Sequence, residues 1–200
     1  MLRKIRILLW ALVAVAIAGG GAYYSLGRQL PTPSLAIGGP FRLAASTGDV
    51  VDSEKLKGRP FAVFFGFTHC PEVCPTTLHE MSSALGKLGD DGKDLNVLFI
   101  TVDPERDTIE FMKSYLTSFD PRIVGLRPTP EELPQVAKAY RAFYEKVPMS
   151  DGDYTMNHTA LVYLMDRQGT FFGTLDYEEK PEVRLTKLRR LLKEGQSRSR

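Results

Sequence analysis

Two apolar runs constrain the fold of this chain more than any other feature. Residues 61–67 (FAVFFGF) and 96–102 (NVLFITV) are each long enough for one strand and carry no charged side chain. Strands that are buried on both faces have this near-continuous apolar character. A helix is predicted between them from the three- and four-residue intervals of Leu78, Met81, Leu85 and Leu88. Two strands joined by a helical crossover form a parallel βαβ unit.

Hairpins and a final helix are predicted on either side of this unit. Residues 41–45 and 50–51 indicate a small hairpin, because a turn sequence, STGD, separates them. A second hairpin is predicted from residues 159–165 and 170–175, which the turn DRQG connects. A last helix is predicted from the spacing of Val183, Leu188, Leu191 and Leu192.

Two more helices are predicted in the middle of the chain. One is expected to begin near Asp107 or Thr108. The other begins around Thr129, because threonine can cap a helix and Glu132, three positions later, completes a capping box. We expect this second helix to run toward Tyr144. The order of elements is that of an α/β, thioredoxin-like domain over residues 41–194, in which residues 107–133 are an insertion and residues 195–200 a flexible tail.

The N-terminal segment predicts export of this domain. Residues 7–26 carry no charge and, as a helix, span about 30 Å, the thickness of a bilayer core. Basic residues within 1–6 predict a cytoplasmic stub, and residues 27–40 are expected to form a linker to the exported domain. The alternative is a signal peptide that is cleaved after Ala16 or Ala18.

The start of the sequence favours a bacterial protein over an organelle precursor. The apolar segment begins almost at Met1, and no Arg- and Ser-rich presequence precedes it. We therefore expect a single-pass protein of the bacterial inner membrane with its domain in the periplasm.

The charge distribution argues against nucleic acid as a partner. Four of the 26 Lys and Arg residues precede residue 29, which leaves 22 basic against 24 acidic residues in the rest of the chain. A nucleic-acid-binding domain would need a concentrated basic face, and the sequence has no such run.

The two cysteines of the chain are separated by three residues in the motif FTHCPEVCPTT, residues 67–77. Cys70 is predicted in the loop that leaves the first buried strand, and Cys74 at the start of the next helix. The dipole and free N–H groups of a helix N-terminus stabilise a thiolate, which suits both metal ligation and redox chemistry. A structural disulfide is the alternative, although a bridge over three residues closes a small loop and adds little stability.

His158 is the candidate for a third ligand. It stands directly before the predicted strand 159–165, at a position that faces the cysteine loop in thioredoxin-like domains. Thioredoxins have a cis-proline there, and this sequence has no proline between Met149 and Lys180. Two sulfurs and one imidazole suit one copper ion in its cuprous or cupric form.

The remaining polar residues near the motif have weaker assignments. His69 is expected to point away from Cys70, and His79 to lie on the surface of the helix. Asp103 follows the second buried strand and could orient His158 or balance charge as an outer-sphere residue, but a turn or capping role fits equally well. Arg106 and Asp107 are expected to pair with each other or to cap the next helix.

These motifs together resemble the Sco/SenC family of copper proteins. The resemblance covers roughly residues 35–192. It is carried by FGFT before CPEVCP, by the motif VDPERDT at residues 102–108, and by His158 before the second hairpin. It implies a thioredoxin-like fold and copper binding by Cys70, Cys74 and His158, and it matches Asp103 with an aspartate that tunes the site.

The family resemblance also implies a function. It predicts a copper metallochaperone that delivers copper to, or prepares, the copper-A site of cytochrome c oxidase. The expected partners are the copper-A domain of oxidase subunit II, other periplasmic copper chaperones or thiol reductases, and the inner membrane.

A redox function is the alternative. The chain would then be a specific thiol-disulfide oxidoreductase or a copper-linked redox sensor, with Cys70 and Cys74 as the reactive pair and as the disulfide of the oxidised form. The three-residue spacing, the absence of a tryptophan before Cys70 and the missing cis-proline argue against a general oxidoreductase.

Overall fold

The computed structural model describes residues 2–29, 36–150 and 152–197, and the chain divides into two units at Leu35. The first unit contains helix α1, Leu2–Gln29. Within it, Arg3–Gly21 is long and apolar enough to cross a membrane, with a mean hydropathy of 1.7, and a signal sequence would meet the same criteria. The helix continues through residues 27–29, where the linker was predicted to begin, and residues 30–35 of that linker lie outside the described residues.

The second unit alternates strands and helices. Two short 3-10 helices occupy Ser53–Leu56 and Gly89–Gly92. Its strands and α-helices are β1 Arg42–Ala45, β2 Val50–Asp52, β3 Phe61–Gly66, α2 Val73–Leu88, β4 Asn96–Thr101, α3 Ile109–Leu116, β5 Ile123–Arg127, α4 Glu132–Tyr140, β6 Tyr144–Pro148, β7 Tyr154–His158, β8 Leu161–Met165, β9 Phe171–Asp176 and α5 Pro181–Ser197.

A mixed seven-stranded sheet forms the centre of this unit. Its strand order is β2-β1-β5-β4-β3-β8-β9. Strands β3, β4 and β5 are parallel, and the outer pairings are antiparallel. All six residues of β3 are buried, which explains its continuous apolar sequence. The predicted βαβ unit is confirmed as β3–α2–β4, and both predicted hairpins are confirmed as β1–β2 and β8–β9.

The predicted helix from Thr129 begins as expected but ends early. The N–H of Glu132 donates to Thr129 Oγ1 at 3.3 Å, and the N–H of Thr129 donates to Glu132 Oε2 at 2.8 Å, so the capping box is present. The prediction that the helix runs toward Tyr144 is wrong. Arg141 adopts a left-handed conformation with φ 54°, which ends the helix at Tyr140, and Tyr144 begins β6.

The region predicted as an insertion is part of the main sheet. It supplies α3 and β5, and β5 lies between β4 and β1. The sequence analysis did not identify β5, β6 or β7. At the C-terminus, α5 continues to Ser197, so it includes the first residues of the predicted tail.

Candidate metal centre

The end of β3 and the start of α2 fix the two cysteines. Cys70 is half-buried in the loop between them, and its N–H donates to the carbonyl of Phe67 at 3.3 Å. Cys74 lies in the first turn of α2 and is fully buried. Its backbone N–H approaches Cys70 Sγ at 3.4 Å. The free N–H groups of the helix N-terminus therefore face the Cys70 sulfur, as the sequence predicts.

Gly66, the last residue of β3, makes room for Cys74. A Cβ atom at this position would lie 2.7 Å from Cys74 Sγ and 2.7 Å from the ring of Phe99. Both neighbours are completely buried. A glycine is therefore required here if the sulfur of Cys74 is to pack directly against the end of the strand.

The two thiols differ in acidity because the hydrogen bond between them favours the thiolate form of Cys70 and the neutral form of Cys74. The hydrogen bond from Cys74 lowers the pKa of Cys70 to about 4, with smaller help from His158 and the backbone, while partial burial opposes the shift. Burial raises the pKa of Cys74, and its hydrogen bond to Cys70 raises it further. In the reduced, metal-free site the negative charge is thus on Cys70, the more accessible sulfur.

His158 approaches the cysteines from the opposite side. It is the last residue of β7, rather than a residue that directly precedes β8, and residues 159–160 connect the two strands. Its Nε2 lies 3.4 Å from Cys74 Sγ, and its Nδ1 lies 3.1 Å from the carbonyl oxygen of Thr159. When Nδ1–H donates to that carbonyl, the lone pair of Nε2 is directed to the sulfurs.

Aromatic residues surround the imidazole. The ring of His158 makes edge contacts with Phe64 and Phe67, at centroid distances of 6.1 and 5.8 Å. These packed rings restrict the orientation of the imidazole and exclude water from its buried side.

The structure brings the three predicted ligands together. One ligand atom from each of Cys70, Cys74 and His158 lies within 4.8 Å of the other two. Two soft sulfur donors and one imidazole are a suitable set for copper, since thiolates favour the cuprous ion and imidazole binds both oxidation states. The donors present therefore fit the expected metal.

Asp103 lies beside this cluster and contacts a different partner from the one expected. Its Oδ2 accepts from Arg106 Nε at 2.5 Å, and its Oδ1 accepts from the hydroxyl of Tyr154 at 2.9 Å. Among the hydrogen bonds of the described residues, none joins Asp103 to His158. The carboxylate instead holds the strand on which His158 is located, since Tyr154 begins β7.

Asp107 ties the cysteine loop to the loop after β4. Its carboxylate is completely buried and accepts from the N–H of Thr68 at 3.1 Å, from the Thr68 hydroxyl and from the Thr101 hydroxyl at 2.6 Å. The predicted pairing with Arg106 is wrong, because Arg106 binds Asp103. Nor does Asp107 cap the next helix, since the Thr108 hydroxyl accepts from Phe111 N–H at 3.2 Å. The sequence analysis missed this role of Asp107.

A comparison with protein families identifies the chain. The family model described as SCO1/SenC matches residues 30–193. The chain belongs to the SCO1/SenC family.

Relatives in this family span bacteria and eukaryotes. The chain is 41% identical over 137 residues to an Arabidopsis thaliana protein, SCO1 homolog 1, mitochondrial, with 68% of this chain and 41% of that protein covered. It is 32% identical over 190 residues to the SCO2-like protein of Rickettsia conorii, with 88% and 93% covered. The chain thus spans less than half of the first relative and nearly all of the second.

A solved structure in the family has the same fold. The structure of Bradyrhizobium japonicum ScoI with copper bound is 51% identical to this chain and matches it with a TM-score of 0.73. The match covers 78% of this chain and 99% of the Bradyrhizobium chain. The mixed α/β, thioredoxin-like fold predicted from the order of elements is therefore confirmed.

The other two histidines of this Sco protein lie apart from the three clustered ligands. The ring of His69 stacks on Phe111 at a centroid distance of 5.4 Å, and its Nδ1 lies 3.1 Å from Thr68 Oγ1. His79 is exposed on α2. Neither joins the group of potential metal ligands found among the described residues.

Proposed function

We propose that this chain is a copper metallochaperone that delivers copper to, or prepares, the copper-A site of cytochrome c oxidase. The observation that carries the proposal is the meeting of Cys70, Cys74 and His158 within 4.8 Å in a member of the SCO1/SenC family. These residues hold one copper ion through two sulfurs and Nε2. The solved Bradyrhizobium relative, with copper bound, supports the choice of metal.

The arrangement of the ligands suits transfer as well as binding. Cys74 is buried, whereas Cys70 is only partly buried and lies in a loop. Copper therefore enters and leaves on the Cys70 side. A site with three ligands leaves room for a fourth, so a ligand from an acceptor can bind the metal before a ligand of this chain dissociates.

One observation favours the oxidoreductase or redox-sensor alternative. The pKa of Cys70 is lowered to about 4, so this partly buried residue is a thiolate beside a second cysteine. An accessible thiolate with a neighbouring thiol is the arrangement that attacks and then releases a disulfide. In this alternative Cys70 attacks, and Cys74 completes the intramolecular disulfide.

Copper transfer to an acceptor tests the proposal directly. The purified full-length chain, reduced and loaded with copper in detergent, is mixed with a reduced, copper-free copper-A domain of oxidase subunit II. We expect copper to be found in the acceptor by metal analysis after the two proteins are separated. If the acceptor stays copper-free although the chain is loaded, delivery is wrong. If the metal-free reduced chain instead converts an oxidised acceptor to its dithiol, the oxidoreductase alternative is favoured.

The proposed location follows from the N-terminal helix. Residues 1–6 form a cytoplasmic stub, residues 7–26 span the bacterial inner membrane, and the residues that follow link this anchor to the periplasmic domain 41–194. The hydropathy of Arg3–Gly21 and the basic residues at its start support this orientation. In the periplasm the domain meets subunit II and other copper chaperones or thiol reductases.

Protease accessibility tests this topology. A protease added to intact spheroplasts should digest the domain, because it faces outward, and a cytoplasmic protein in the same sample should stay intact. Protection of the domain would refute the orientation. A mature protein that starts near residue 18 would show that the segment is a cleaved signal peptide.

A further inference from the structure

The hairpin β6–β7 carries His158 but is not part of the main sheet. It forms a separate two-stranded sheet, from Tyr144↔His158 at its base to Pro148↔Tyr154 near its tip. A two-stranded hairpin is marginally stable without packing against other elements. The contacts that hold it to the domain therefore determine where the imidazole of His158 lies.

One face of this hairpin is turned toward the domain. Alternate residues of β7 share a face, so Tyr154, Met156 and His158 lie on the same side. All three make contacts inward. Met156 is buried in the core, His158 approaches Cys74, and Tyr154 reaches Asp103.

Three residues near the tip of the hairpin form what we call the tyrosine clasp: Asp103, Arg106 and Tyr154. The Tyr154 hydroxyl donates to Asp103 Oδ1 at 2.9 Å, and Arg106 Nη1 donates to the carbonyl of Tyr154 at 2.9 Å. The guanidinium carbon of Arg106 lies 3.7 Å from the centre of the Tyr154 ring, and its Nε donates to Asp103 Oδ2 at 2.5 Å. The clasp thus combines charge-assisted hydrogen bonds with a cation–π contact.

Arg106 is also connected to the site by a second route. Its guanidinium carbon lies 6.0 Å from the centre of the Phe67 ring, and the same ring makes an edge contact with His158. Phe67 is buried and begins the cysteine loop. The clasp therefore faces both the hairpin that carries His158 and the aromatic ring that packs against it.

We propose that Arg106 and Tyr154 are positioning residues that hold His158 against the cysteine pair. The inference rests on the proposed copper site and goes beyond it by assigning what places the third ligand. Without the clasp, the inward face of β7 is no longer held against the loop after β4, and the imidazole of His158 moves away from Cys74. Asp103 then acts on His158 through Tyr154 and the hairpin, with no direct contact.

The test compares three variants of the full-length chain in detergent with the wild type and with His158→Ala. Tyr154→Phe removes the hydroxyl donor and keeps the ring. Arg106→Lys keeps the positive charge but loses the planar guanidinium group, which donates to Asp103 and to the carbonyl of Tyr154. Glu145→Gln is the matched control, because it removes a carboxylate from an exposed position on β6 of the same hairpin. The measurements are copper affinity by chelator competition, the electron paramagnetic resonance spectrum of the cupric form, and amide hydrogen exchange of the metal-free chain.

We expect Tyr154→Phe and Arg106→Lys to weaken copper binding about tenfold, the lower end of the effect of losing an outer-sphere partner. Their cupric spectra should lose nitrogen coupling and shift toward that of His158→Ala. Hydrogen exchange should become faster in β6 and β7 while the central sheet stays protected. Glu145→Gln should match the wild type in all three measurements.

Two outcomes would overturn the inference. One is wild-type affinity and nitrogen coupling in both clasp variants, which would make the clasp a structural contact only. The other is faster exchange across the whole domain in both conservative variants, which would mean that the clasp stabilises the fold and does not specifically position His158. If His158→Ala itself leaves the cupric spectrum unchanged, the proposed ligand set fails independently of the clasp.

Discussion

Replacing either cysteine by alanine should abolish tight copper binding by the reduced full-length chain. Each substitution removes one of the only two thiols in the sequence, and no other cysteine can substitute for it. We expect the loss to exceed the roughly 10- to 100-fold cost of removing an outer-sphere partner, because a ligand to the metal itself is gone. Equilibrium dialysis with metal analysis, under reducing conditions, measures the copper bound per chain.

The chain provides two controls for this experiment. His79→Ala removes an imidazole, a group able to bind metal, from the same helix as Cys74. This position is exposed and lies outside the ligand cluster. His69→Ala changes the residue next to Cys70, whose ring stacks on Phe111. Both variants should bind copper as the wild type does. Wild-type affinity in Cys70→Ala would contradict the proposed site.

The elements that could be predicted from the sequence have strong local patterns. Strand β3 is buried over its whole length and is correspondingly apolar, and α2 presents Leu78, Met81 and Leu85 to the core at helical intervals. The capping box at Thr129 and Glu132 is a local signal in the same sense, since each residue binds the backbone of the other. Such patterns need no knowledge of distant residues.

The elements that were missed depend on distant contacts. The sequence of β5, IVGLR, contains a glycine and an arginine, and a Cβ at Gly125 would lie 2.9 Å from the side-chain ends of both Leu116 and Met112. Among the residues of strands β6 and β7 only Met156 is buried, so these strands lack a clear apolar pattern. These elements form because other parts of the chain pack against them.

The residues of the site also divide into those that local sequence patterns predict and those whose roles depend on distant contacts. The cysteine motif and the strand–helix pattern around it predicted where Cys70 and Cys74 lie, and the thioredoxin-like order predicted that His158 faces them. The roles of Asp103 and Asp107 were not predictable in this way. One binds Tyr154, 51 positions away, and the other binds Thr68, 39 positions away, so only the folded arrangement of the loops reveals which carboxylate contacts which element.

Replacing His158 by alanine should separate copper transfer from thiol chemistry. We expect copper binding to weaken by at least about 10- to 100-fold, because the nitrogen ligand is lost. The dithiol–disulfide cycle of Cys70 and Cys74 should continue, since exchange needs only an attacking thiolate and an accessible disulfide. Thiol titration after treatment with oxidant and then reductant measures the cycle, and chelator competition measures the binding.

The cellular consequence of His158→Ala distinguishes the two proposed functions. In cells that carry only this variant and grow at low copper, a metallochaperone can no longer supply the oxidase, so copper-A absorbance and oxidase activity in the membranes should fall. Low copper is required because excess metal loads the oxidase by mass action. A thiol reductase would keep most of its function, because its cysteine pair is intact. Normal oxidase assembly under these conditions would contradict the metallochaperone proposal and favour the oxidoreductase alternative.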